Sequence, residues 1–575
     1  MKTARTWGLG VALAARTIGT VAAWSVPVLA AGAVLMACED EKDPKTWAKR
    51  LDDPAQRSTA VRRLSDSFEA AMGNANKNRE DEKVKALFDV AVEPLTKTYT
   101  NGGLDEKTRK ELIKLLADMG DARATPAFAK AFNDFEAGKT DEDLRWAALA
   151  TQRLAGAGQL QDQALVDALW ACFSKFQPSK NNKSINLVKD LVNAVLAVKH
   201  PSYGPKAVEK LSTPVNPKDR EQSLDHIQFW MSTSVRVIGE LKFTPAIKPL
   251  VVALMTPSKR DLVFPIRVAL QRMAKEAEPV LVAGMKGTDP DLAKLAGEYP
   301  ENGHLILLGE VVAYISRPAG RDAILDALSA TQNDQVRTIL ATYLTHFPAE
   351  QKTQKAYLDT YAKIPPTTAV SLMGGGNGKA ILAQASANFF DPTMVDWLLK
   401  ETAAAKGDLA DSMPPAALPT AIKLMTPASK KAVGEAVDKI PGKAIEKEMF
   451  KTAEAVLDKC KEDVACYLAA LDTTVPTTPP AAKFGHVKAA WMTCIYGGGD
   501  KANDTRAKLV DKVEKITDGS VRLAIVEAID HLAPNGDAPA GEKLDKLVET
   551  ERAAGKNFAA DEVFKVALKL KSRAP

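Results

Sequence analysis

The cysteines are the residues of this chain whose type and spacing most directly suggest covalent chemistry. Cys460 and Cys466 stand six residues apart, and Cys494 follows them. On a regular helix, Cα atoms six residues apart would be separated by about 9 Å, beyond the ~7 Å limit of a disulfide. A bond between the first two therefore requires a turn, for which residues 461–463 are candidates. If the protein is exported, we predict this Cys460–Cys466 disulfide, with Cys494 as the alternative partner of either cysteine.

The histidines form no recognisable catalytic or metal-binding motif. The six of them are scattered, and neither a His-Glu-x-x-His nor a Gly-x-Ser-x-Gly motif occurs. Five residues between Cys460 and Cys466 is not the usual zinc spacing. His531 follows Asp530 at a predicted helix end, where capping of the helix would account for a histidine. Cys172 lies in an apolar run that is typical of a buried free thiol. We therefore predict a protein that is not an enzyme and has neither a metal nor another cofactor.

A glycine-rich stretch ending in Lys379 invites comparison with a phosphate-binding loop. That motif needs glycine five residues before Gly378, where this chain has Met373. It also needs serine or threonine after the lysine to reach Mg²⁺, where this chain has Ala380. We interpret the stretch as a flexible turn before a helix over Lys379–Ala387, and we predict no nucleotide binding.

The N-terminus has the three parts of a secretory leader. Residues 1–37 contain three basic and no acidic residues, and an uncharged apolar run over 17–37 precedes an abrupt acidic stretch. The last residues before that change resemble a bacterial lipobox, namely Leu35, Met36, Ala37 and Cys38. The resemblance implies that 1–37 is a lipoprotein signal peptide and that the sulfur of Cys38 receives a lipid.

Two other interpretations of the leader stay open. Its apolar run of about 20 residues is long enough to span a bilayer uncleaved as a signal anchor, and ordinary cleavage is the third possibility. In the lipoprotein interpretation, residues 38–44 form a polar tether to a membrane of the bacterial cell envelope. The residue after the lipidated cysteine bears on sorting between the two membranes. Here it is Glu39, and we favour the outer over the inner membrane.

The main body of the chain is predicted to consist of short amphipathic helix pairs. In Ser234–Leu254, the apolar positions Val235, Ile238 and Leu241 share one helix face, and a three-residue turn leads to a second helix. Gly239 would let a neighbouring backbone come close. Pro245 suits a first helical turn, because its missing N–H would have no partner there. Such a pair cannot bury its apolar faces alone, so it needs copies on either side.

Degenerate copies of this pair are present. Leu115–Phe132 and Leu308–Leu328 share its layout. A Val-Arg or Ile-Arg step recurs at several positions, which are Arg62, Arg236, Arg267, Arg337 and Arg522. Arg236 and Arg267 are 31 residues apart, and Arg267 and Arg337 are 70 apart, or two steps of 35. The pattern resembles HEAT repeats of the short bacterial kind, well over 44–345 and again near 521–532. The resemblance implies an α-solenoid that binds a protein or peptide on its concave face.

Composition agrees with an all-α solenoid. Aromatic residues make up only 6% of the chain, and no alternating β-branched stretch is long enough to predict a strand. Without the three basic residues of 1–37, the net charge falls from +5 to +2, with both signs mixed along the chain. A nucleic-acid partner would require a basic stripe, so we exclude it. We expect a HEAT-like solenoid over 45–350 and a less regular helical-repeat region over 351–575.

These observations predict a lipid-anchored envelope scaffold that binds a protein or peptide and does no catalysis. The recurring arginines are expected to cap helix ends or to pair with acidic residues of the next unit. One alternative is an envelope hydrolase with an unrecognised site in 351–575, which a cleft with converging His, Asp or Cys side chains would favour. Another is a purely structural component of an envelope assembly.

Overall fold

The computed structural model describes residues 41–180, 185–440 and 445–574. The predicted signal peptide and lipidation motif (Leu35, Met36, Ala37, Cys38) lie outside the described residues, as does the start of the tether. The described chain is almost wholly helical. The α-helices are α1 (Pro44–Arg50), α2 (Arg57–Asn74), α3 (Glu82–Asn101), α4 (Glu106–Met119), α5 (Thr125–Asn133), α6 (Asp141–Gly156), α7 (Gln163–Lys175), α8 (Ile185–Val198), α9 (Tyr203–Ser212), α10 (Arg220–Gln222), α11 (Ser232–Leu241), α12 (Ile247–Leu254), α13 (Val263–Arg272), α14 (Ala274–Lys286), α15 (Pro290–Ala296), α16 (His304–Ile315), α17 (Pro318–Ala330), α18 (Asp334–Leu344), α19 (Gln351–Lys363), α20 (Gly378–Ala385), α21 (Met394–Ala404), α22 (Met413–Leu424), α23 (Lys430–Asp438), α24 (Ile445–Cys460), α25 (Val464–Ala470), α26 (Phe484–Tyr496), α27 (Ala502–Val513), α28 (Gly519–His531), α29 (Ala538–Ala553) and α30 (Asn557–Arg573).

Aspartate side chains begin many of these helices. Asp43, Asp105 and Asp162 precede α1, α4 and α7, and each accepts a hydrogen bond from a backbone N–H of the first turn. Asp289 and Asp518 do the same for α15 and α28. Such a cap satisfies N–H groups that have no partner within the helix. At these five helices the sequence thus sets the start locally.

One continuous row of helices runs through the described molecule. Each of its helices packs on the next, in the order α2, α4, α6, α8, α11, α13, α16, α18, α20, α22, α24, α26, α28 and α30. The remaining helices lie behind this row, with direct contacts such as α5 on α7 and α14 on α17. Helices that contact mainly their neighbours in sequence define a solenoid. The row continues past residue 350, and the division into a regular part over 45–350 and a less regular part over 351–575 stays a prediction.

The last helix of the row packs against helices from the middle of the chain. Helix α30 packs on its neighbour α28 and also on α13, α14 and α16, more than 240 residues earlier in the chain. A row that returns onto its own helices must face the inside of the curve, and we call it the inner row. From α13 to α30 the solenoid is therefore closed, whereas α2 to α11 continue beyond the closure.

The helix pair over Ser234–Leu254 has the predicted form. Helix α11 ends at Leu241, a 3₁₀ turn spans Thr244–Ala246, and α12 follows. The stripe residues Val235 and Ile238 are fully buried, which confirms the predicted face. A π-helical segment, Ser223–Met231, joins α10 to α11 without a break, and sequence periodicity did not reveal it.

The glycine-rich stretch before α20 is an ordered hairpin rather than a flexible turn. Residues Ala369–Val370 and Gly376–Asn377 pair as two short antiparallel strands. Gly374 and Gly375 at the turn have φ angles of 77° and 78°, which favour glycine. The Asn377 side chain caps α20 by accepting from the backbone N–H of Lys379 at 2.9 Å. The stretch is thus a helix start with a local structural role.

Within the described residues, none of the helices combines the length and the hydropathy that crossing a bilayer demands.

We predict that Gly239→Ala destabilises the protein. A Cβ atom at this position would lie 3.0 Å from the Cα and 3.1 Å from the Cβ of Ala269, so α11 and α13 would have to move apart. The expected loss is about 1–3 kcal/mol of unfolding free energy, measured by urea denaturation. Gly73→Ala is the control, because a Cβ there meets no atom within 4 Å. This control should be neutral or stabilise by up to about 1 kcal/mol, and equal effects of the two substitutions would contradict the close-approach argument.

Candidate functional site at the closure of the solenoid

Side chains and backbone groups tie the closing helix to the middle of the chain. The Ser572 hydroxyl donates to the backbone carbonyl of Ile315 at 3.0 Å. Arg317 donates through Nη1 to the carbonyl of Ser572 at 3.3 Å and through Nε to the Glu278 carboxylate at 3.2 Å. These contacts join α30 to the end of α16 and the start of α17, so they fix the position of the closure.

A buried charge cluster reinforces the closure from the other side. Asp530 of α28 accepts from Lys569 Nζ at 2.5 Å and from Arg573 Nη2, both on α30. Burial alone would raise the pKa of Asp530, but the charges of Arg573 and Lys569 outweigh it and lower the pKa to about 2. Asp530 is therefore ionised at every physiological pH and binds α30 to α28.

A cleft of about 150 Å³ lies where these helices come together, and we call it the closure cleft. It joins parts of the chain that are far apart in sequence. Its lining consists of Tyr314, Thr345, His346, Phe347, Pro348, Asn388, Phe390, Leu523, Glu527, Asp530, His531, Glu562, Lys565, Val566, Lys569 and Arg573. Charged groups and aromatic rings therefore share a confined space that is open to solvent on one side.

Glu527 is the unusual member of this lining. Among the described residues its carboxyl group has no hydrogen-bond or ion-pair partner, although the residue is half-buried in the cleft. Burial raises its pKa to about 7, and Lys423 counteracts that rise while Glu562 and Asp530 add to it. At neutral pH the group is therefore poised between its charged and uncharged forms.

The two histidines of the cleft are uncharged at neutral pH. Burial lowers the pKa of His346 to about 3 and that of His531 to about 4. The His531 ring lies 4.7 Å from the ring centre of Phe390, and the His346 ring lies 5.1 Å from that of Tyr314. His531 does end α28, as predicted, but ring packing in the cleft explains its position better than capping does.

A second, larger recess lies between the inner row and the closing helices. This inner groove, of about 640 Å³, is formed by α8, α11 and α13 on one side and by α29 and α30 on the other. It is lined by five cationic side chains, which are Lys199, Arg236, Lys242, Arg272 and Lys571, and by three carboxylates, which are Glu240, Asp545 and Glu549. The excess of positive charge favours an anionic group in the groove.

Of the two arginines that line the inner groove, one has no ion pair among the described residues. Glu240 pairs with Arg272 at 2.5 Å and with Lys199 at 3.3 Å, and Asp545 pairs with Lys571. Arg236 has no ion pair within 4.0 Å among the described residues. Its guanidinium is accessible from the groove, yet the surrounding protein removes enough water to lower its pKa. An anion that enters the groove would find this group unoccupied.

The recurring arginines separate into structural and free ones. Arg337 and Arg522 each donate through Nε, at 2.9 Å, to a backbone carbonyl six residues earlier, in the connection that follows the preceding helix. Arg267 pairs at 2.5 Å with Glu310 of the next inner helix. These three confirm the predicted structural roles. Arg236 and the exposed Arg62 have no such partner among the described residues.

The cysteine pair lies apart from both recesses. Cys460 ends α24, Lys461 follows with a φ of 50°, and α25 starts at Val464, so the predicted turn is present. The Cα atoms of Cys460 and Cys466 are 5.3 Å apart and their sulfur atoms are at disulfide distance. Cys494 is a buried free thiol that donates to the Ala528 carbonyl at 3.7 Å. Cys172 is also buried and free.

Sequence reasoning missed both recesses. Within the part of the chain that the structure describes, no set of three or more His, Cys, Asp or Glu side chains could hold a metal ion. The cleft residues are separated by up to 259 positions, and only the closure brings them together. The one available signal was Glu527, an acidic residue within the otherwise apolar run 523–529.

The helix order and the continuous inner row define the protein as an all-α solenoid of HEAT-like helix pairs. No protein-family model matches the chain, and no curated protein matches it either. Among solved structures, a karyopherin bound to a SUMO protease is 12% identical, covers 92% of this chain and 72% of its own, and has a TM-score of 0.35. A chain from work on the interaction between cadherin and beta-catenin is 12% identical over 92% of this chain and 99% of that chain, with a TM-score of 0.27. At these scores the likenesses carry no argument about function.

We predict that Asp530→Asn loosens the closing helix. The substitution leaves Lys569 and Arg573 as buried charges without a carboxylate, which costs about 3–5 kcal/mol. Hydrogen exchange of α30 amides should quicken, and the urea midpoint should fall. Because the folded pKa of Asp530 is about 2, below the unfolded value near 3.9, its contribution is complete above pH 4 and is lost as the pH falls through 2.

Asp561→Asn serves as the control for this prediction. Asp561 pairs with Arg552 at 2.8 Å on the exposed side of the same region, where an ion pair contributes about 1 kcal/mol at most. If the two variants unfold alike at pH 7, or if Asp530→Asn differs from the natural protein as much at pH 2 as at pH 7, the closure does not depend on Asp530.

Proposed function

We propose that the protein is a lipid-anchored, non-catalytic scaffold of the bacterial cell envelope that holds an acidic segment of a protein partner in the inner groove. The observation that carries this proposal is the free Arg236 in a groove whose other cations are partly neutralised. A solenoid offers an extended surface for such binding. Because α30 occupies the inside of the curve from α13 onward, the groove beside α8 and α11 is an accessible part of the inner face that also borders the closing helix.

Charge complementarity determines the chemistry of the proposed partner. The Arg236 guanidinium and the Lys242 ammonium have no carboxylate within 4.0 Å among the described residues, and both line the groove. A guanidinium binds a carboxylate through two parallel hydrogen bonds, which fixes geometry as well as charge. Aspartate or glutamate side chains of an extended segment would supply such groups without requiring a deep pocket.

The proposed lipid anchor determines where the scaffold works. Helix α1 starts at Pro44, six residues after Cys38. Six residues span at most about 20 Å when fully extended, so lipid on Cys38 would hold the first repeat close to the bilayer. The attached acyl chains would contribute about 0.8 kcal/mol per buried CH₂ group. We favour the outer membrane, as the residue after Cys38 suggests.

The second candidate function is an envelope hydrolase that uses the closure cleft. The observation that favours it is Glu527, a carboxyl group with a pKa of about 7 beside two uncharged imidazoles. Such a group could act as a general acid or base. The cations of the cleft, however, are held by Asp530 and Glu562 and are not free to stabilise developing negative charge. Binding without turnover is therefore the better account of this cleft.

The test of the scaffold places a photo-crosslinking amino acid at Asn193, which lines the groove on α8. In intact cells it should capture one envelope protein through an acidic segment, and Arg236→Glu should reduce that product at least fivefold because it replaces attraction with repulsion. Arg62→Glu is the matched control, since it makes the same change at an exposed arginine of the same sequence pattern outside the groove. Capture that persists in Arg236→Glu would refute the groove as the binding site.

A separate prediction concerns the anchor. Cys38→Ala removes the sulfur that would take the lipid, so the variant should move from the detergent phase to the aqueous phase in Triton X-114 partitioning. Labelling with a radioactive fatty acid should disappear as well. Cys494→Ala controls for the loss of a thiol and should leave both results unchanged, because Cys494 is buried far along the chain. Unaltered partitioning of Cys38→Ala would contradict lipid attachment at this residue.

A further inference from the structure

We propose that the closure cleft is a binding site for a primary ammonium group, with the ammonium against the Glu527 carboxylate and its alkyl stem along the aromatic wall. The ligand chemistry is that of an alkylamine, which can come from a free amine or from a lysine side chain. This site is distinct from the inner groove and does not depend on the function proposed above.

The first argument is the balance of charge in the cleft. The other charged side chains of the lining already pair with one another, namely Lys569 and Arg573 with Asp530, and Lys565 with Glu562 at 2.8 Å. Glu527 alone among them has no partner in the described structure. Removing part of the water around a charged carboxyl group is costly unless a cation or a hydrogen-bond donor meets it. A positively charged ligand would supply the ion-pair partner that Glu527 lacks.

The second argument is that no lysine or arginine side chain of the described protein already forms an ion pair with Glu527. Lys423 of α22 faces Glu527 electrostatically but makes no ion pair with it within 4.0 Å, and its ammonium lies 5.2 Å from the ring centre of Trp491. Lys569 of α30 also faces Glu527, but its ammonium is bonded to Asp530. The remaining groups are Glu562 and Asp530, whose negative charges repel that of Glu527. An ammonium ligand would relieve this repulsion.

The third argument is the chemistry of the walls. Tyr314, Phe347 and Phe390 line the cleft, and aromatic carbon favours both methylene groups and organic cations. His346 and His531 are uncharged at neutral pH, so neither repels a cation, and each has an unprotonated ring nitrogen that can accept a hydrogen bond from an ammonium. A volume of about 150 Å³ accommodates a ligand of several non-hydrogen atoms and excludes a folded protein.

Binding should therefore depend on pH. The ammonium pairs with the ionised form of Glu527, whose fraction rises from about one tenth at pH 6 to about nine tenths at pH 8 for a pKa of about 7. Affinity should increase about tenfold over this range, and binding near pH 7 should release a proton. A ligand held only by the apolar walls would show neither effect.

The experiment is isothermal titration calorimetry on the full chain in detergent, with n-butylammonium chloride as the probe at pH 6, 7 and 8. The natural protein should bind the probe more tightly as the pH rises. Glu527→Gln keeps the size of the side chain but not its charge, and it should weaken binding at pH 8 at least tenfold. Glu514→Gln removes one carboxylate from an exposed position outside the cleft and should change affinity less than twofold.

Further measurements identify the source of the ammonium and guard against misfolding. A second titration uses a blocked tripeptide with one lysine: tighter binding than butylammonium indicates a protein side chain, and weaker binding indicates a free amine. Thermal unfolding of Glu527→Gln should match or exceed that of the natural protein, because the variant loses a half-buried charge. No binding of either probe at pH 8, equal affinity in Glu527→Gln, or affinity that falls with rising pH would overturn the proposal.

Discussion

An ion cluster of one carboxylate and two cations holds α30 against α28, and from that position α30 packs on α13, α14 and α16. Asp530 takes two hydrogen-bonded cations from α30, and this pairing occurs at the end of the inner row, where the helix meets the middle of the chain. A buried ion pair need not stabilise more than apolar packing would, but once one member is buried the others are required. The cluster therefore specifies where the closing helix sits more than it adds to stability.

The closure divides the inner face into two environments. Inside the closed part, aromatic rings pack closely, as in the stack of Phe390 on Trp491 with ring centres 4.0 Å apart, and the small closure cleft lies beside them. Beside it, where α8 and α11 continue past the closing helices, a broad charged groove stays open. The closure cleft and the inner groove thus both result from the packing of α30 on the middle of the chain. The small cleft would select a ligand by desolvation, and the wide groove would select one by charge.

Local features of the fold could be predicted from the sequence, and the closure could not. Apolar spacing and Pro245 predict the pair α11 and α12, and the glycine at 239 predicts a close approach that Ala269 provides. These signals act within one or two neighbouring units. The return of α30 depends on the summed curvature of many units, to which each contributes a small rotation that no residue pattern encodes. Glu527 and Tyr314 therefore become neighbours for reasons that a single sequence does not display.

The same closure has a mechanical consequence. In an open solenoid each repeat contacts only its neighbours, so one repeat can unfold without affecting distant ones and the array can extend under tension. The bond from Ser572 to Ile315 spans 257 residues and converts the helices between them into a loop that cannot lengthen without breaking at its join. The molecule thus combines an open arm, α1 to α11, with a closed ring from α13 to α30. Tension applied from the side of the tether would be absorbed by the arm, and the ring would keep its shape.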